Sequence, residues 1–253
     1  MRFAIVDDLG TERTLLKERL ARQLRQRGTE AELLEFDSGE AFLAAEEAAI
    51  RKLFVEFDMG ECSDEMLTRY SKINRSYWER LERNEITKQQ VLVGRFKEFF
   101  ASEGLDAGVA EEFNAKYQYA LGDTIVPRDN SLEIVRKLQG KVRQYVVSNG
   151  TIIAQNKKLR LSGLGALMDG IFLSEELGVE KPNIEFFEKT FSSIGQVDPR
   201  ETIIIGDSLS SDIRGGNNAG ILTCWYNPSG KEAPESLRID YEIGDLHQVF
   251  DLL

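Results

Sequence analysis

Four short runs of apolar residues in this chain each end in small polar or acidic side chains. They cover residues 3–6, 33–36, 145–147 and 202–205. Runs of this length and ending are typical of buried β-strands, and helical patterns lie between them or follow them. The alternation predicts an α/β fold with a mainly parallel sheet. Because ligands bind such sheets at the carboxyl ends of the strands, we expect a functional site where these runs end.

The middle of the chain has a different pattern. From about residue 44 to residue 123, apolar residues recur at helical spacing and no strand is evident, while Thr87 and Gln90 form a capping box. We predict that a helical bundle is inserted into the α/β domain. The predicted division is a β-α-β segment over residues 1–44, the helical insertion over 45–125 and a core domain over 126–253.

Composition restricts the chemistry that this chain performs. Its 253 residues are 42% hydrophobic, with no uninterrupted apolar run near the roughly 20 residues that cross a bilayer, so we expect a soluble protein without a membrane partner. Asp7 and Asp8 follow only a few apolar residues at the N-terminus and argue against a secretory signal, which predicts a cytoplasmic location. A net charge of −11 disfavours nucleic-acid partners. One histidine and two distant cysteines leave carboxylates, hydroxyls, amides and lysine as the reactive groups.

The segment 206–212, Gly-Asp-Ser-Leu-Ser-Ser-Asp, follows an apolar strand and begins a helix. Two carboxylates across such a turn favour one hard cation, and Mg²⁺ typically takes one or two protein carboxylates together with phosphate and water. Asp207 and Asp212 are therefore our candidate metal ligands. The alternative is that Asp212 caps the helix and Asp207 is an ordinary turn residue, since aspartate is favoured at both positions.

A second strand ends in Ser148, Asn149 and Gly150 ahead of a helix. Backbone N–H groups, a hydroxyl and an amide favour an anion there, although ordinary turns use the same residues. Lys181 precedes Pro182, which disfavours a helical conformation at the lysine and suits the start of the next helix. Its charge would neutralise a phosphate or a carboxylate nucleophile, and the alternative is a solvated surface lysine.

The order of these segments resembles the haloacid dehalogenase (HAD) superfamily. The strand ending at Ser148, residues 177–183 and residues 206–212 are similar to its motifs II, III and IV. The resemblance implies a Rossmann-like doubly wound parallel sheet, an inserted helical C1-type cap and Mg²⁺-dependent phosphatase chemistry through an aspartyl-phosphate. Further segments resemble the pyrimidine 5′-nucleotidase subgroup, namely Ile73-Asn74, Trp78, Ile86-Thr87, Gly94-Arg95-Phe96 and residues 223–228.

The resemblance also implies roles for the candidate residues. Ser148, Asn149 and Gly150 would bind the phosphate of a nucleoside monophosphate, and Lys181 would act in catalysis through its charge. Asp207 and Asp212 would bind Mg²⁺. We expect the protein to work as a monomer or a homodimer.

The first motif of the family, DxDxT after a strand, is absent from this sequence. In that motif the first aspartate is the nucleophile and the second protonates the leaving group. Asp37 lies in the expected chain order before the insertion and is our candidate catalytic nucleophile, with Asp7 as the alternative; Asp7 has Thr11 four residues on but Leu9 in place of the second aspartate. A missing general acid typically costs ~10²–10⁴ in rate. We therefore predict binding of phosphate and Mg²⁺ with little or no turnover.

Residues 1–44 instead resemble the start of a response-regulator receiver domain, with the acidic pair Asp7 and Asp8 at the end of the first strand. The phosphate-accepting aspartate of a receiver ends a third strand, which is missing because the sequence passes into the helical insertion. A second hypothesis is therefore a signalling or binding module, and a third is a catalytically impaired chimera. The β-α-β segment has one strand more than the core needs, and the sequence does not decide which strand joins the sheet.

Overall fold

The computed structural model describes residues 2–5, 38–123, 125, 128–195 and 197–252, with side chains from residue 46 onward. Several predicted features lie outside the described residues, namely the helix of the β-α-β segment, the strand at 33–36, Asp7, Asp8 and Asp37. In the described ranges, no helix combines the length and the apolar character that crossing a bilayer requires.

A parallel sheet forms the centre of the α/β part. Its order is β3-β2-β1-β4-β5-β6, and every neighbouring pair of strands is parallel. The predicted parallel α/β fold is confirmed. The short edge strand β6, whose first two residues are exposed, was not predicted. The strands are β1 (Arg2–Ile5), β2 (Arg143–Ser148), β3 (Gly170–Leu173), β4 (Thr202–Gly206), β5 (Leu222–Tyr226) and β6 (Tyr241–Ile243).

Strand β1 occupies the centre of this sheet. Its backbone pairs with β2 on one side, where Ala4 is opposite Tyr145, and with β4 on the other, where Ile5 is opposite Ile205. The first candidate strand of the β-α-β segment therefore supplies a central strand of the core. The chain crosses from β3 on one side of β1 to β4 on the other side. Such a switch in strand order is where open α/β sheets bind ligands.

The α-helices lie in the insertion and around the sheet. The predicted capping box at the start of α3 is confirmed, because Thr87 and Gln90 accept hydrogen bonds from each other's backbone N–H groups. Helix α1 runs through the predicted boundary between residues 44 and 45. The helices are α1 (Ser38–Glu56), α2 (Asp64–Glu82), α3 (Lys88–Ser102), α4 (Ala110–Leu121), α5 (Ser131–Leu138), α6 (Ile152–Ser162), α7 (Ser174–Leu177), α8 (Ile184–Ile194) and α9 (Arg214–Ala219).

Helices α1 to α4 form a bundle with an aromatic core. Each of these helices contributes a fully or almost fully buried ring, and the rings of Phe96 and Phe113 have centroids 5.0 Å apart. Burying one large apolar side chain contributes about 1.5–3 kcal/mol. The helical insertion therefore has an apolar core of its own, to which Phe54 and Tyr70 also belong.

Strand β4 is buried on both faces of the sheet. Ile203 and Ile205 pack into one apolar cluster with Ile134 of α5, whereas Ile204 packs into another with Phe186 of α8. Burial on both faces explains why this strand is a continuous apolar run instead of an alternating one. It also holds the end of β4 firmly at the edge where the candidate site lies.

Candidate active site

Three sequence segments meet at the carboxyl edge of the sheet. Ser148 is the last residue of β2, Asp207 directly follows β4, and Lys181 lies in the loop between α7 and α8. Lys181 Nζ donates a hydrogen bond to the Val147 carbonyl oxygen at 3.0 Å, which places its ammonium beside the end of β2. The same ammonium donates to Asp212 in the segment after β4. Residues far apart in sequence are thus neighbours at this edge.

Lys181 and Asp212 form a buried ion pair. Lys181 Nζ and Asp212 Oδ1 are 2.6 Å apart, and each side chain is only 2% exposed. The alternative of a solvated surface lysine is therefore wrong. Asp212 Oδ2 accepts a hydrogen bond from the Ser208 backbone N–H at 3.2 Å, so both carboxylate oxygens have donors. Buried charges require such partners, because leaving one unpaired in a dry interior is strongly unfavourable.

The Asn149 side chain connects the turn after β2 to the Lys181 backbone. Its Oδ1 accepts from the Lys181 N–H at 2.9 Å, and its Nδ2 donates to the Lys181 carbonyl oxygen at 2.8 Å. The peptide bond between Lys181 and Pro182 is cis. Because both ends of the Asn149 amide are used in this way, its side chain positions Lys181.

The turn after β2 leads into helix α6. Ser148 Oγ accepts from the Gly150 backbone N–H at 3.0 Å, and Thr151 Oγ1 caps the helix by accepting from the Ala154 N–H at 3.3 Å. The first turn of an α-helix has N–H groups without intrahelical acceptors. An anion near that turn gains from these groups and from the helix dipole. The Ile152 N–H donates to Glu175 Oε2 at 2.6 Å, so a carboxylate already occupies part of this helix N-terminus.

The loop after β4 folds tightly around Asp212. A Cβ atom at Gly206 would collide with the Asp212 carboxylate, so glycine is required there. Ser208 Oγ accepts from the Ser211 N–H at 3.1 Å. The loop then forms one π-helical turn, Leu209–Ile213, where we predicted the start of an α-helix. Single π turns are rare and frequently occur at functional sites.

Asp207 is half-buried at this loop, and the Trp225 indole N–H donates to its carbonyl oxygen at 3.0 Å. Within the part of the chain that the structure describes, no group of three or more His, Cys, Asp or Glu side chains could hold a metal ion. Mg²⁺ requires fewer protein ligands than that, since phosphate and water complete its coordination shell. Asp207 and Asp212 therefore fit Mg²⁺ as a donor set.

A family comparison agrees with this geometry. The sequence profile of haloacid dehalogenase-like hydrolases matches residues 12–220. The chain belongs to this family. The predicted HAD relationship is thereby confirmed, and with it a hydrolase with the α/β core of that fold.

Relatives of this HAD hydrolase cover most of the chain. It is 35% identical to the HAD-hydrolase YfnB of Bacillus subtilis over 84% of this chain and 89% of YfnB. A crystal structure of YfnB bound to magnesium matches it with a TM-score of 0.78, over 84% of this chain and 92% of that chain. The pyrimidine 5′-nucleotidase PynA of Streptococcus pneumoniae is 32% identical, over 87% of this chain and 90% of PynA. The pyrimidine 5′-nucleotidase YjjG of Escherichia coli is 26% identical, over 86% of this chain and 96% of YjjG.

Two charged residues of the helical bundle also reach this candidate site, and neither was predicted from the sequence. Lys88, at the start of α3, donates from Nζ to the Gly150 carbonyl oxygen at 3.2 Å and to Ser174 Oγ at 2.8 Å. Burial lowers the pKa of Lys88. Glu82, at the end of α2, hydrogen-bonds with Ser210, and burial raises the pKa of its carboxyl group. The capping box predicted where α3 begins, yet no local pattern indicates that this end faces the sheet.

Proposed function

We propose that this protein is a Mg²⁺-dependent phosphohydrolase that acts on nucleoside monophosphates as a 5′-nucleotidase, with the helical insertion as a C1-type cap. The observation that carries the proposal is the buried ion pair of Lys181 and Asp212 beside the turn that begins at Ser148. A cation held there, next to a helix N-terminus, suits a phosphoryl group. The pyrimidine 5′-nucleotidases among the relatives support the substrate class.

Each site residue has a proposed role in binding phosphate. Lysine has three N–H donors, and Asp212 and Val147 accept two of those of Lys181. The remaining donor is our proposed contact with a phosphate oxygen. The Ser148 hydroxyl and the backbone N–H group of Asn149 are the proposed neutral donors, and the Gly150 N–H orients the hydroxyl by donating to Ser148 Oγ. These groups hold the phosphate in one orientation, which is most of what a protein contributes to phosphoryl transfer.

Asp207 and Asp212 are the proposed metal carboxylates. Each oxygen of Asp212 already accepts one hydrogen bond, and a carboxylate oxygen has two acceptor sites, so Asp212 retains capacity for a further partner. Asp207 is the proposed direct ligand, because its backbone is held by the Trp225 indole at the end of β4. When bound, Mg²⁺ would neutralise the negative charge of the phosphoryl oxygens.

The proposed nucleophile is an aspartate outside the described residues. Asp7 stands two residues after Ile5 in the sequence, as Asp207 stands two residues after Ile205, and Ile5 pairs with Ile205 in the sheet. This register supports Asp7 over Asp37. In the proposed step, an Asp7 carboxylate oxygen bonds to phosphorus while the bond from phosphorus to the ester oxygen breaks, and the departing nucleoside oxygen takes a proton from water. Water then hydrolyses the aspartyl-phosphate.

We propose that turnover is slow, because the position of the leaving-group acid holds Leu9. The loss of a general acid typically lowers the rate by ~10²–10⁴. Binding is therefore a sharper test than rate. Calorimetric titration with uridine monophosphate in the presence of Mg²⁺ should show saturable binding, and Lys181→Met should abolish it. Lys189→Met, which removes a lysine from an exposed pair on α8, is the matched control and should bind as the wild type does.

Residual phosphate release identifies the nucleophile. Asp7→Asn should abolish the Mg²⁺-dependent release from uridine monophosphate, whereas Asp37→Asn should leave it unchanged. The reverse result would assign the role to Asp37. Absence of nucleotide binding by the wild-type protein would contradict the proposed function as a whole.

A further inference from the structure

Lys88 links the helical bundle to the anion-binding turn. Its Nζ donates to the Gly150 carbonyl oxygen at 3.2 Å and to the Ser174 hydroxyl at 2.8 Å, and Ser174, the first residue of α7 directly after β3, is fully buried. An ammonium bound to a backbone carbonyl makes a charge-assisted hydrogen bond, which is stronger than a neutral one. One cation from the bundle therefore contacts two neighbouring segments of the core.

A second side chain of the bundle contacts the next residue of the same turn. Gln118 Oε1 of α4 accepts a hydrogen bond from Thr151 Oγ1 at 2.9 Å, and both residues are buried. Gln118 Nε2 in turn donates to Asn114 Oδ1 at 3.1 Å, and Arg95 donates to the same oxygen at 3.4 Å. The bundle thus contacts this turn at two consecutive residues, one of which is backed by a buried polar network.

The Gly150 carbonyl controls the direction of a neighbouring donor. The carbonyl oxygen of Gly150 and the N–H of Thr151 belong to one planar peptide group, and in a trans peptide they point in opposite directions. A contact that holds the Gly150 carbonyl toward Lys88 therefore keeps the Thr151 N–H pointing away from Lys88. Lys181 contacts Val147 before the turn and Lys88 contacts Gly150 within it. Two ammonium groups, one from the core and one from the bundle, are thus bound to this stretch of backbone.

We propose that Lys88 is a positioning residue for phosphate binding, which orients the Ser148–Thr151 turn and adds positive charge to that of Lys181. This inference rests on the proposed function. It assigns a role in phosphate affinity to a residue of the helical insertion. It also implies that the turn reaches its full affinity for a phosphoryl group only while the bundle is docked on the core.

The test is the affinity for inorganic phosphate, measured by calorimetry in the presence of Mg²⁺. Lys88→Met should weaken phosphate binding about tenfold or more, since it removes a charge-assisted hydrogen bond and a nearby charge. Lys88→Arg keeps the charge and two or more donors, and it should restore most of the affinity. Lys97→Met is the matched control, because Lys97 is exposed on the same helix, and it should bind phosphate like the wild type. Melting temperatures of all variants separate loss of folding from loss of affinity.

A merely structural role would lower the melting temperature of Lys88→Met and leave its phosphate affinity within about threefold of the wild type, and this result would overturn the inference. If Lys88→Met does not fold, Lys88→Gln, which retains a donor, takes its place under the same criterion. If the wild-type protein binds phosphate and Lys88→Met and Lys88→Arg bind it equally well, only the role of Lys88 is refuted. Wild-type protein that binds no phosphate refutes the proposed function, and the inference falls with it.

Discussion

Replacing Lys181 with methionine should destabilise the protein as well as abolish phosphate binding. Lys181 and Asp212 are each 2% exposed and lie 2.6 Å apart, so the change leaves the Asp212 carboxylate buried without its cation. Breaking a buried pair in this way costs about 3–5 kcal/mol, whereas an exposed pair contributes about 0–1 kcal/mol. For a chain of this length, about 2–4 °C of melting temperature is lost per kcal/mol, which predicts a decrease of about 10 °C.

The assay is urea unfolding of three variants alongside the wild type. Lys181→Met should lose about 3–5 kcal/mol of unfolding free energy. Lys189→Met, which breaks a pair with side chains 42% and 53% exposed, should lose no more than about 1 kcal/mol. The double variant Lys181→Met with Asp212→Asn has no unpaired carboxylate at this site and should regain about 1 kcal/mol or more, as coupled neighbours do in a mutant cycle.

Measuring phosphate affinity in the same variants separates the effect of the ion pair on stability from its effect on phosphate binding. The double variant should regain stability but not phosphate binding, because the cation is still absent. The reasoning is refuted if Lys181→Met is as stable as Lys189→Met. It is refuted equally if the double variant binds phosphate as the wild type does.

Two further changes test particular parts of the structure. Gly206→Ala should lower both stability and Mg²⁺ affinity, because the added Cβ displaces the Asp212 carboxylate; unchanged Mg²⁺ affinity by calorimetry would contradict the packing of that loop. Glu46→Gln removes a buried carboxyl group. Burial raises the pKa of that group above the ordinary 4.5, and the hydrogen bond from Tyr117 opposes the shift. The folded wild type binds this proton more tightly than the unfolded chain, so its stability should fall as pH rises above about 4.5 through the raised pKa. Urea unfolding should therefore show Glu46→Gln gaining stability relative to the wild type between pH 5 and pH 8, and a constant difference would contradict the raised pKa.

Local patterns were sufficient to predict the elements that surround the site. Strands β2 and β4 are buried apolar runs whose endings are visible in the sequence, and their ends hold Ser148 and Asp207 where parallel strands place them. The short strand β6 was missed because Tyr241 and Glu242 are exposed, so that no apolar pattern marks it. Sequence patterns therefore identify strands that are buried, and they fail at exposed edges.

Long-range pairing could not be predicted in the same way. Two runs, at residues 3–6 and 33–36, were equally good candidates for the central strand, and only the pairing of Arg2–Ile5 with β2 and β4 distinguishes the first. The contact of Lys88 with Gly150 likewise joins residues 62 positions apart, and nothing near Lys88 in the sequence indicates it. Such contacts follow from how the bundle packs on the sheet, which is a property of the whole chain.

The central claim is that the Ser148 turn, Lys181 and Asp207 form one site that binds phosphate and Mg²⁺ together. Calorimetric titration of phosphate with and without Mg²⁺ tests it most directly, because two ligands that share a site must change each other's affinity by the same factor. We predict that Mg²⁺ strengthens phosphate binding to the wild type and that Asp207→Asn removes this effect, while the surface variant Asp198→Asn retains it. Equal phosphate affinity with and without Mg²⁺ in the wild-type protein would contradict the claim.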